Sequence, residues 1–241
     1  MVKKTIICHF YNEEYLLPWW LDHHKKIFDH GIMIDYDSTD ESVNIIKSIC
    51  PTWDIVVSRN KEFGAQVADE EVKDIERNVS GWKTSLNATE FLVGDLSVLS
   101  GEEPLITFPC FVMVDNETNI VPTYELSLVE QKTHGIHYKE GSFPIRRARS
   151  IHKYDTFNYS LGRHFESYNT EKLAVLWYGF SPFNENVVKR KLQIQNKMPA
   201  SDKAQGLGTG HVIDQTKLNS YYQQYLNMSR DLSQDLKEYT L

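Results

Sequence analysis

Two short segments, residues 6–14 (IICHFYNEE) and 32–42 (IMIDYDSTDES), constrain this chain more than any other feature. Each is an apolar run ending in acidic and small polar residues, the pattern of a buried parallel strand whose C-terminal end opens into a loop. Between them, residues 15–30 carry Leu16, Leu17, Trp19, Trp20, His23, Ile27 and Phe28 at near-helical spacing, and Pro18 is tolerable only in a first helical turn. Strand, amphipathic helix and strand make a right-handed βαβ unit, and open sheets of this kind bind ligands just beyond the carboxyl ends of their strands. Asn12, Glu13, Asp35 and Asp37 are expected to gather there. A third unit follows, with a short helix over residues 42–50, a stop at Pro51 and a β run at 53–57 (WDIVV).

The run Asn12-Glu13-Glu14 after the first strand, Asp35-Tyr36-Asp37-Ser38-Thr39-Asp40 after the second, and residues 81–92 (GWKTSLNATEFL) resemble three motifs of family-2-like GT-A glycosyltransferases, in which they read N-E-E, D-x-x-S-T-D and W-x-x-x-x-D-A-D-E-F-L. The likeness covers the first half well and the second half loosely. It implies a mixed, mainly parallel α/β sheet of Rossmann-like kind flanked by helices, with C-terminal helices. The implied organisation is one domain over 1–241, with a nucleotide-binding half at 1–100, an acceptor and catalytic half at 101–212, and a helical tail at 213–241. The implied activity moves a sugar from a nucleotide-diphosphate donor to a hydroxyl of a glycan or small acceptor, with inversion. By the same resemblance Phe10 and Tyr11 flank the base, Asp35 or Asp37 hydrogen-bonds base or ribose, and Glu90 lies near the phosphate–sugar junction.

One departure from the pattern bears on the cofactor. In the family the two aspartates of D-A-D hold a divalent cation, Mn²⁺ or Mg²⁺, that bridges the diphosphate, because a hard cation takes carboxylate oxygens. Here Asn87 and Thr89 stand in their place and bring no charge. Three explanations stay open: cationic side chains hold the diphosphate without metal, Glu90 and a histidine such as His211 recruit the ion, or the chain binds nucleotide or sugar without catalysis. A sugar-1-phosphate nucleotidyltransferase is a further alternative, but it needs a Gly-rich basic loop after the first strand, where this chain has His9-Phe10-Tyr11-Asn12-Glu13.

The rest of the chain supplies candidates for the chemistry. Residues 104–114 (PLITFPCFVMV) read as one core strand delivering Asp115, a candidate base for the acceptor hydroxyl. Arg146, Arg147, Arg149, His152 and Lys153 form a basic cluster suited to one diphosphate or an anionic acceptor, or to a solvated face. Arg163 or His164 is expected to face the donor, with Glu166 a rival base. Residues 172–183 read as a late strand whose Trp177 and Tyr178 could stack on a sugar or fill the core. The helix expected over 187–198 carries Lys189, Arg190 and Lys191, and the loop holding Gly206, Gly208, Gly210 and His211 could close on the donor. Residues 61–76 read as a mostly polar helix, with Gln66 and Asp69 possible donor contacts by position.

With 33 acidic against 26 basic residues, the net charge of −7 argues against a nucleic-acid partner, whose affinity comes from lysine and arginine on phosphates. No apolar run approaches the ~18 residues that span a bilayer, and three scattered cysteines suit buried thiols in a reducing compartment. The expected location is cytoplasmic.

Overall fold

The computed structural model describes residues 2–116, 121–140, 148–155, 162–208 and 214–239. The chain opens as expected, with β1 (Lys4–Phe10), α1 (Leu17–His24), β2 (His30–Asp35), α2 (Ser42–Ile49) and β3 (Asp54–Val57). Next come α3 (Ala65–Glu76), β4 (Trp82–Ser85), β5 (Glu90–Gly94), β6 (Leu105–Phe108), β7 (Cys110–Val114), α4 (Leu128–Gln131) and β8 (His134–Ile136). The last elements are β9 (Arg149–His152), β10 (Leu173–Phe180), α5 (Glu185–Lys197), α6 (Ala200–Ala204), α7 (Gln215–Met228) and β11 (Arg230–Asp231), then a 3₁₀ turn over Asp235–Tyr239.

The strands form two sheets. In the first, of order β3-β2-β1-β4-β9-β6, the first four strands run parallel and β9 is antiparallel to both neighbours. The second has the order β11-β8-β7-β10-β5. The mixed α/β architecture implied by the opening motifs is what the chain adopts. β1 shows why: Ile6, Ile7 and Cys8 are all fully buried, so both faces are covered, as a central parallel strand requires. Ile6, Cys8 and Phe10 pack with Trp20, Trp53 and Trp82 on one side. Ile7 packs with Ile34, Tyr36, Ala68 and Val72 on the other. Register places Phe10 level with Asp35 and Ile7 level with Ser85, so the loops after β1, β2 and β4 leave the sheet at one edge.

One expected element is corrected. Residues 104–114 are two strands, broken at Pro109, and they enter different sheets. Proline lacks the N–H that a continuous ladder would use. Its carbonyl instead accepts from the Val175 N–H at 2.9 Å, which starts the pairing of β7 with β10.

Helix α1 fixes the loop that follows β4. Trp20 Nε1 donates to the carbonyls of Asn87 (3.1 Å) and Glu90 (2.9 Å). One turn on, the Leu92 N–H donates to His24 Nε2 at 3.2 Å, and His23 Nε2 lies 2.6 Å from the Leu92 carbonyl. Burial holds both imidazoles below their ordinary pKa, His23 at about 4, so both are neutral near pH 7. Among the described residues, no helix is long and apolar enough to cross a membrane.

Candidate functional site

The loops after β1 and β2 are knitted together by their own motif residues. Asn12 takes a left-handed backbone (φ +50°), and its side-chain oxygen accepts from the Thr39 N–H at 2.8 Å. Ser38 Oγ accepts from the Asn12 N–H, and Asp40 accepts from the Glu14 and Ser42 N–H groups. Asp35 accepts from the Ser38 N–H at 2.9 Å. Asp37 also has positive φ (+65°), and its exposed carboxylate lies 3.8 Å from Lys197. Asparagine and aspartate tolerate this region better than most residues because their short polar chains bond the local backbone. In this structure Asp35 and Asp40 therefore shape the loops.

Beyond these loops lies a cleft with two lobes, of about 120 and 270 Å³. His9, Phe63, Asn87 and Ile194 line both lobes and form the partition between them. Phe10, Tyr11, Thr89 and Trp177 add aromatic and hydroxyl surface to the first lobe, and Arg190 and Lys191 add charge. Asp69, Arg149, Arg163 and His164 line the second. His9 meets Phe63 edge-on at 4.9 Å between ring centroids, and Lys191 sits 4.2 Å above the Phe180 ring.

Among the described residues, three ion pairs set the charge of this cleft. Glu90 is fully buried: one oxygen accepts two N–H groups of Arg149 at 2.6 and 3.1 Å, and the other accepts the Asn87 N–H at 2.8 Å. Arg149 in turn donates to the carbonyls of Gly162 (2.7 Å) and Arg163 (3.0 Å). Asp69 pairs with Arg163 and also accepts the Gly162 N–H at 2.6 Å. Glu13 pairs with Nε of Arg190, but its burial outweighs the arginine and raises its pKa above the usual carboxylate range.

The expected site residues divide accordingly. Phe10, Tyr11, Glu13, Asn87, Thr89, Arg163 and His164 line the cleft, whereas Asn12 lines a separate polar hollow beside it with Glu14, Asp40 and Gln193. Asp115 does not line the cleft: its carboxylate accepts from Ser181 Oγ (2.6 Å) and the Phe183 N–H (2.9 Å) and lies 3.3 Å from Lys132. Glu166 is solvent-exposed and lines neither lobe. His211, Arg146 and Arg147 lie outside the described residues. Arg149 and His152 are buried, so the solvated-face alternative does not describe them. Trp177 lines the cleft, while Tyr178 is fully buried and donates to the Lys132 carbonyl at 3.0 Å.

Sequence reasoning passed over His9 and Phe63 and named Asp69 only as a possible donor contact by position on a mostly polar helix. Strand alternation held the signal for His9, since it shares the Ile7 and Tyr11 face of β1, opposite Cys8 and Phe10. Phe63 carried no such signal, because it precedes α3 in a polar stretch.

A divalent cation does not find its usual ligands at the Asn87 loop. Thr89 brings only a hydroxyl, the Asn87 amide oxygen lies 3.5 Å from Arg163, and both Glu90 oxygens already accept N–H groups. Among the described residues, no group of three His, Cys, Asp or Glu side chains is placed to hold a metal ion.

No family model and no curated protein matches the chain. Solved structures do overlap it. TarS residues 1–349 from S. aureus in complex with UDP is matched over 50% of this chain and 38% of that one, at 13% identity and a TM-score of 0.37. Glucosyl-3-phosphoglycerate synthase from Mycobacterium tuberculosis, in complex with Mn²⁺, UDP-glucose and phosphoglyceric acid, is matched over 46% of this chain and 44% of that one, at 14% identity and a TM-score of 0.35. The chain spans less than half of either. Overlaps this small leave the functional reading to the site itself.

Proposed function

We propose that this protein transfers a sugar from a nucleotide-diphosphate donor to a hydroxyl of a glycan or small acceptor. The observation that carries the reading is one two-lobed cleft, at the carboxyl ends of β1 and β4, lined by aromatic rings and guanidinium groups and sharing Asn87 between its lobes. Open parallel sheets bind ligands at this edge. Tyr11 and Phe63 offer flat surfaces to a base, Asn87 and Thr89 offer hydrogen bonds to a ribose, and Trp177 offers a ring to the sugar. Arg163, Arg190 and Lys191 bring positive charge to a diphosphate.

Direct attack by the acceptor oxygen would invert the anomeric centre and needs a group to accept the hydroxyl proton. With Asp115 held by Ser181, Phe183 and Lys132, and Glu166 on the surface, His164 is the group assigned this role. Calorimetric titration with UDP-, GDP-, dTDP- and CMP-linked sugars tests the reading, followed by assay of donor hydrolysis and transfer. One nucleotide is expected to bind; failure of all four to bind would sink it.

A second reading, binding without transfer, is favoured by one observation: Glu13, Asp69 and Glu90 are each paired with an arginine. It predicts donor binding with neither hydrolysis nor transfer.

A further inference from the structure

We propose that the guanidinium groups of Arg163 and Arg190 take the place of a divalent cation, holding the donor diphosphate directly; this rests on the transferase reading above. Each arginine is fixed along one edge by a buried carboxylate. Asp69 takes Nη1 of Arg163, and it is itself oriented by the Gly162 N–H. That leaves Nη2 at the partition between the lobes, 3.4 Å from His9 Nδ1 and 3.5 Å from the Asn87 side-chain oxygen. Glu13 takes Nε of Arg190, and the two Nη groups of that arginine make no hydrogen bond among the described residues. In Arg190 a carboxylate behind leaves both Nη groups as a fork that presents planar, bidentate donors to phosphate oxygens at little further entropic cost, and Arg163 adds the single edge of Nη2.

The backbone supports the same assignment. Arg163 sits at φ +58°, directly after Gly162 at +77°. For arginine a left-handed conformation is strained and has no local side-chain compensation of the kind Asn12 enjoys. The turn is held by Arg149, which donates to the carbonyls of both residues and is itself held by Glu90. Glu90, the one acid remaining in the motif that elsewhere binds metal, thus positions the arginine turn. Its charge is spent on Arg149, while Asn87, at the first acidic place of that motif, lies against Arg163.

The test is calorimetry of wild type, R163K, R190K and, as a control at an exposed α2 residue outside the cleft, K47Q, titrated with inorganic pyrophosphate and UDP in EDTA and in Mn²⁺. Lysine keeps a charge against Asp69 or Glu13 but loses the fork, and circular dichroism reports whether each variant is folded. The expected result is wild-type pyrophosphate affinity equal within about twofold in EDTA and Mn²⁺. Folded R163K and R190K should each bind about tenfold to a hundredfold more weakly, as loss of charge-assisted hydrogen bonds implies, and K47Q should be unchanged. Binding that requires Mn²⁺ would overturn the inference and leave the transferase reading standing. Metal-free binding unaltered in R163K and R190K would also overturn it. Absence of pyrophosphate binding, with and without metal, would also overturn it, whereas the transferase reading falls only if all four nucleotide types fail to bind.

Discussion

Glu90 is the residue on which the two accounts of this site differ most, and the variant E90Q separates them. If its carboxylate serves Arg149, the change has a large structural cost. The amide has one oxygen and one NH₂ where three N–H groups now converge, two from Arg149 and one from Asn87. In either orientation at least one donor faces another, and the Arg149 guanidinium, about 1% exposed, keeps its charge but loses the Glu90 carboxylate. Breaking a buried pair on one side costs about 3–5 kcal/mol. R149M should be costly too, since it removes the guanidinium donors to Glu90 and to the carbonyls of Gly162 and Arg163. The double variant E90Q/R149M should be less destabilised than the sum of the two by roughly 1–3 kcal/mol. Urea unfolding of all four proteins closes the cycle. A loss below about 1 kcal/mol for E90Q, together with Mn²⁺ stabilisation of the wild type that E90Q abolishes, would refute the structural account and return Glu90 to the metal.

Acidification should destabilise the protein through His23. Its folded-state pKa of about 4 lies below the ordinary 6.5, so the unfolded chain takes up the proton first as pH falls. The stability is full above about pH 6.5 and is lost progressively toward pH 4, by about 2 kcal/mol at pH 5, with His24 acting in the same direction. The urea midpoint should fall between pH 7.5 and 5 and fall less in H23Q; equal slopes in the two proteins would rule out His23. Replacing Asp115 by asparagine should cost about 3–5 kcal/mol by removing the carboxylate beside buried Lys132, yet leave nucleotide affinity unchanged by calorimetry, since Asp115 does not line the cleft. Retained stability with lost transfer would instead make Asp115 the base. Gly31→Ala should lower the melting temperature sharply, because its Cβ would lie 2.1 Å from the Trp53 ring. A shift smaller than about 2 °C would mean that the ring moves aside freely.

Much of the first half could be read from the chain because its information is local. The β1 and β2 runs end in polar residues where the strands end, and Pro18 marks the first turn of α1. The 104–114 run has no such punctuation except Pro109, and its apolar residues read as one strand. What divides it is the choice of partner: β6 pairs with β9 and β7 with β10, strands that begin 44 and 63 residues later. Hydrophobic pattern fixes which residues are buried, but partner choice depends on contacts far away in the chain.

The site was legible to the same depth. The strand-end motifs located the cleft, but the task of each acid in them is set by a base from elsewhere. Glu13 meets Arg190, Asp69 meets Arg163 and Glu90 meets Arg149, at separations of 177, 94 and 59 residues. In every pair the acid comes from residues 1–100 and the arginine from 101–212. A carboxylate read alone in a motif looks available to a metal or a proton, whereas the same group buried in the folded chain must be paired or must lose its charge. The second half of the chain therefore supplies the counter-charges that allow acids of the first half to be buried at the cleft. Two of those arginines also line the cleft, Arg190 in one lobe and Arg163 in the other. Burying the acids and presenting the guanidinium forks is one arrangement, so a substitution on either side of these pairs should change folding and anion binding together.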